Sequence, residues 1–116
     1  MATIKAYTDL EQSKKLAEIL PLESADMYWY LATKGDPVAR FNGGYDKYGD
    51  FELPCWSLAA LLDILTENKI CHYDDSYYCQ YMGEGDEFPI YSTAEYDNPV
   101  DVCVEMIEKL HELKML

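Results

Sequence analysis

Asn98-Pro99-Val100-Asp101-Val102-Cys103-Val104-Glu105-Met106-Ile107-Glu108-Lys109-Leu110-His111-Glu112-Leu113-Lys114 reads as a helix laid across a core. Asn98 can cap it, Pro99 suits the first helical position, and Asp101 favours the positive end of the helix dipole. Val100, Cys103, Val104, Ile107, Leu110 and Leu113 share one face, while Asp101, Glu105, Glu108 and Glu112 recur at spacings of four, three and four on the other. Lys109 and Lys114 complement the C-terminal end. The spacing predicts a helix from about Pro99 to Lys114, and a helix with one long apolar face needs another layer to cover.

Just upstream, short runs of Tyr, Ile and Cys flank Gly83-Glu84-Gly85-Asp86, which predicts a β-hairpin of Tyr77 to Met82 and Phe88 to Glu95. Before it, Pro54 opens a helix over Cys55 to Leu65 whose only polar members are Ser57 and Asp63. Such a helix is buried on several sides or faces another subunit. Trp56, Leu58, Leu61, Leu62 and Leu65 are therefore expected to meet Ile107 and Leu110 at the centre of the fold. Residues 34–53 hold Gly35, Pro37, Gly43, Gly44 and Gly49 and read as an extended loop with room for a short strand around Val38 to Phe41. Met27-Tyr28-Trp29-Tyr30-Leu31 has strand propensity. Thr8 and Glu11 have capping-box spacing for a helix over Asp9 to Leu20, which Pro21 stops. The order α, β, loop, α, β, β, α has too few strands for a doubly wound sheet. The expected fold class is α+β, with three helices packed on one face of a small, mainly antiparallel sheet.

Three stretches support a resemblance: Leu20-Pro21-Leu22-Glu23-Ser24-Ala25-Asp26-Met27-Tyr28, then Pro54-Cys55-Trp56-Ser57-Leu58-Ala59-Ala60-Leu61-Leu62, then Asp97 to Lys114. Together they resemble a group of short uncharacterised proteins of gut anaerobes, often encoded on phage-like or mobile DNA. The likeness covers under half of the chain and leaves out the Gly-rich loop and the acidic hairpin. It implies a bacterial, cytoplasmic setting and an accessory role on a mobile element. No activity attaches to the group, so no site residues carry over from it.

Charge narrows the partners further. The 116 residues carry a formal net charge of −13, and they suit one domain. Between Lys69 and Lys109 there is no Lys or Arg, while ten carboxylates and six of the eleven tyrosines lie in that interval. Direct nucleic-acid binding is disfavoured, because it draws affinity from cations that displace counterions at phosphates. Anionic membrane surfaces are disfavoured for the same reason, and no run approaches the roughly 20 apolar residues of a membrane span. Without a signal-peptide pattern, Cys55, Cys71, Cys79 and Cys103 are expected to be reduced and structural, and the protein cytoplasmic.

No constellation compels chemistry. Cys71-His72 with Asp74, Asp75 and Cys79 has poor zinc spacing, since adjacent Cys and His rarely reach one tetrahedral centre. Asp46 to Glu52 and Asp97 to Glu105 lack the ligand alternation of a calcium loop. Cys103 and His111 stand about 12 Å apart along a helix at the standard rise, too far to pair. Phe41-Asn42-Gly43-Gly44-Tyr45 lacks the Lys and Ser or Thr of a phosphate loop. No metal and no cofactor is expected. Tyrosine, by contrast, joins apolar area to a hydroxyl with few rotatable bonds, which favours binding surfaces. The expected function is a non-enzymatic protein-interaction module, meeting a basic surface through Tyr77, Tyr78, Tyr81, Asp86 and Glu87. A rival is a small ligand-binding protein or hydrolase with two carboxylates converging on Trp29 or Tyr45. Another is a structural subunit presenting the helix of Trp56 to Leu65.

Overall fold

A computed structural model describes residues 5–31, 35–41, 49, 51–66, 68–82 and 91–116. Helix α1 spans Leu10–Ile19, strands β1, β2 and β3 span Met27–Tyr30, Val38–Phe41 and Glu52–Cys55, and helix α2 spans Leu58–Ile64. Strands β4, β5 and β6 span Asn68–Tyr73, Ser76–Tyr81 and Tyr91–Ser92, and helix α3 spans Pro99–Glu112. The class is α+β as expected. The strands form two antiparallel three-stranded sheets, however, ordered β2-β1-β3 and β4-β5-β6. Among the described residues no helix is long and apolar enough to cross a membrane.

The caps explain most boundaries. Asn98 caps α3, accepting from the Asp101 N–H, with Pro99 behind it. The capping box of α1 is Asp9 with Gln12 rather than Thr8 with Glu11. Thr8 is diverted inward: its buried hydroxyl bonds the Ser13 hydroxyl at 2.7 Å and accepts the Trp56 N–H at 3.1 Å. Pro54 does not open a helix but lies in β3 opposite Tyr28 of β1. The second helix begins only at Leu58, capped by Ser57, whose Oγ accepts the Ala60 N–H at 3.2 Å. Ser57 is itself fixed by Asp26, which accepts both its N–H and its hydroxyl.

The strand expected near Val38 is present as β2, paired to β1 with Tyr30 opposite Val38. The rest of the glycine-rich stretch, residues 42–48 and 50, lies outside the described residues. Of the predicted hairpin, β5 pairs with the short β6, Gln80 opposite Ser92, while Gly83 to Ile90 lie outside the described residues. A second hairpin was not foreseen: β4 and β5 are joined by the two-residue turn Asp74-Asp75, with Asp74 in the left-handed region at φ 58°.

The central helix is α3 rather than α2. It buries Val100, Val102, Cys103, Val104, Met106, Ile107 and Leu110, and its neighbours are β5, α2 and α1. Trp56, Leu61 and Leu65 join that core as expected and Leu58 packs against it, whereas Leu62 is 42% exposed. A seven-residue helix capped at Ser57 turns Ala59, Leu62 and Asp63 to solvent.

Candidate acidic binding surface

Two helix N-termini meet beside the core, and the side chains that cap them build the site. Gln12, third residue of α1, accepts the Asp9 N–H on Oε1 at 3.1 Å and donates from Nε2 to Asp101 Oδ1 at 2.7 Å. Asp101, third residue of α3, also accepts from Lys5 Nζ at 2.7 Å and from Asn98 Nδ2 at 2.8 Å. Lys5 in turn reaches Asp9 Oδ2 at 3.0 Å. An exposed helix cap of one element is thus tied to that of another 89 residues away in sequence.

One turn along α3, Glu105 accepts the Tyr96 hydroxyl at 2.8 Å and the Ala94 N–H at 2.9 Å. The next turn adds Glu108. These groups, with Lys15 of α1 and Val104, line an open polar cleft of about 390 Å³ between α1 and α3. The cleft is where the acidic face of α3, read from the sequence, comes to the surface beside an aromatic hydroxyl.

Lys5, Asp9 and Asp101 are each favoured in their charged forms. Burial works against the charge on Lys5, yet its bonds to Asp101 and Asp9 prevail and hold the ammonium above the ordinary lysine range. Burial likewise opposes ionisation of Asp101, and the bonds from Lys5, Asn98 and Gln12 outweigh it and keep the carboxyl below its usual range. Asp9 is lowered in the same way, burial being overcome by the Gln12 N–H and by Lys5. The Glu105 bond pushes the Tyr96 phenol up. General acid and base catalysis needs pKa values brought toward neutrality, and every one of these shifts leads away from it. The arrangement can hold charge and present it.

The tyrosines read from the sequence divide between two surfaces. Tyr77 and Tyr81 share the inner face of β5 with Cys79 and pack against the core, Tyr77 with its ring stacked on His72 at 4.2 Å. Tyr77 also exchanges backbone bonds with Tyr96 at 2.7 and 2.9 Å, which joins β5 to the cleft. Tyr78 lies opposite Cys71 on the other face, where the Cys71 contact raises its phenol. Asp86 and Glu87 lie outside the described residues.

Cys71 and His72, adjacent on β4, point to opposite faces, and among the described residues no three His, Cys, Asp or Glu side chains are grouped to hold a metal ion. Trp29 is committed to the fold, its indole N–H donating to the Thr8 carbonyl at 3.1 Å and its ring edge-on to Tyr7. Tyr45 lies outside the described residues. The sequence reading missed Lys5, Gln12 and Tyr96. Gln12 at the third helical position was the available signal for the cap, but nothing local announces a bond between residues 5 and 101. No family model, curated protein or solved structure matches this chain.

Proposed function

We propose that the protein is a non-enzymatic interaction module that binds a basic surface of another protein. The observation that carries this is the acidic face of α3 opening into the cleft: Asp101, Glu105 and Glu108 stand at successive turns beside Tyr96, and Lys5 and Lys15 are the cations that line the same cleft. Carboxylates at such spacing suit arginine side chains, which pair with carboxylates bidentately. In the sequence Asp86 and Glu87 add two further carboxylates between β5 and β6, and Tyr96 supplies the aromatic hydroxyl at the cleft. In keeping with the resemblance noted above, the concrete form is a cytoplasmic accessory factor of a mobile element that occupies a basic, nucleic-acid-binding site on its target. The spacing supports that form, since four residues of helix advance about 6 Å, a distance over which a partner can meet one charge after another.

The test begins with affinity capture and mass spectrometry from a bacterial host. On the captured partner, the association rate should fall as salt rises from about 0.1 M, where the Debye length is about 10 Å, toward 1 M, where it is about 3 Å. Reversal of Glu108 to Lys, and separately of Asp86 and Glu87, should slow association while the far-ultraviolet spectrum stays unchanged. A rate indifferent to salt and to both sets of reversals would leave the acidic surface as a solubility feature.

A further inference from the structure

We infer that Lys5 is a built-in competitor for the cation this cleft accepts: its ammonium holds Asp101 until a partner's basic side chain displaces it. The inference rests on the acidic-surface reading above. Residues 6–8 form a strap pinned alongside residues 56–58. The Leu58 N–H donates to the Ala6 carbonyl at 3.0 Å, the Thr8 N–H to the Trp56 carbonyl at 2.9 Å, and Tyr7 bridges Ser57. Lys5 is therefore delivered to the cleft from a fixed backbone and not by chance of a loose terminus.

Its ammonium contacts two carboxylates, yet the side chain remains 26% exposed, so the pair opens directly to water. Release of Lys5 would not strip Asp101, which keeps the Gln12 and Asn98 amides as donors. Both helix caps survive the exchange, and the clasp can open while the fold persists. What an incoming guanidinium meets is then a carboxylate already desolvated and oriented, with Glu105 one turn further on. The intramolecular pair weakens every encounter by the cost of its own displacement, so weakly basic surfaces are rejected and strongly basic ones are admitted.

The test uses a fluorescently labelled hexa-arginine peptide and anisotropy at low ionic strength, with the wild-type chain, Lys5→Gln, Lys14→Gln, Asp101→Asn and the double variant Lys5→Gln/Asp101→Asn. Lys14 is exposed on α1 and does not line the cleft, so its substitution removes the same charge from the molecule without touching the clasp. Lys5→Gln should tighten binding about threefold more than Lys14→Gln does, the scale of a partly exposed ion pair. The gain should vanish when Asp101 is already Asn. In unaltered protein, the Lys5 side-chain resonances should move toward those of a solvated lysine as the peptide saturates. Equal tightening by the two lysine variants, or Lys5 resonances unmoved at saturation, would make Lys5 a structural ion pair only and overturn the inference. If the wild-type chain and every variant failed to bind the peptide, the acidic-surface reading itself would fall.

Discussion

Asp74 shows how a single backbone angle becomes measurable. At φ 58° it sits where a side chain with a Cβ is strained, in the turn that registers β4 on β5. Asp tolerates this region better than most residues, so Asp74→Gly should stabilise by about 0.5 to 1 kcal/mol, and Asp74→Val should destabilise; chemical denaturation measures both. The thiols separate by depth. Burial pushes Cys79 and Cys103 up to about 12 and raises Cys55, and the thiolate is the reactive form. Half-buried Cys71 should react first with an aromatic disulfide reagent, the other three only at the rate of unfolding. Asp101 gives the pH signature. Its pKa is depressed in the folded state, so its contribution is complete above the unfolded value near 3.9 and is lost as pH falls through the lower folded value. The stability difference between wild type and Asp101→Asn should be constant from about pH 7 to pH 5 and should shrink below about pH 4, in parallel urea titrations.

Among the elements, α3 was legible almost to its ends because Asn98, Pro99 and a regular apolar period all indicate the same structure. The second helix was not, because Pro54 fits two roles. It can open a helix, and it can also lie in a strand at the edge of its sheet, where its missing N–H costs no ladder bond. β3 is such an edge strand. The β4 and β5 hairpin escaped notice because Asp74-Asp75 lacks the glycine or asparagine that marks tight turns. The revised helix boundary has an energetic consequence. Leu61 is fully buried and Leu62 is 42% exposed, so Leu61→Ala should cost about 2 to 5 kcal/mol and Leu62→Ala within about 0.5 kcal/mol, read as shifts in the denaturation midpoint. Equal losses would return α2 to the centre of the core.

For the molecule as a whole, composition predicted the sign of the surface but not where the charges converge, because the cleft joins residues that no local pattern relates. With a net charge of −13, the folded chain repels itself at low ionic strength. Stability should rise as salt increases from about 0.01 M to 0.15 M, where the Debye length contracts from about 30 Å to 8 Å, and calorimetry in a chloride series would register it. The partition of strands into two sheets was also out of reach, since pairing between distant strands depends on the assembled core. Lys5 and Asp101 are 96 residues apart in sequence. A chain emerging from the ribosome therefore has no such cleft until α3 has left the exit channel and docked, so a partner that recognises it selects molecules whose two helices have met and ignores those in which they have not.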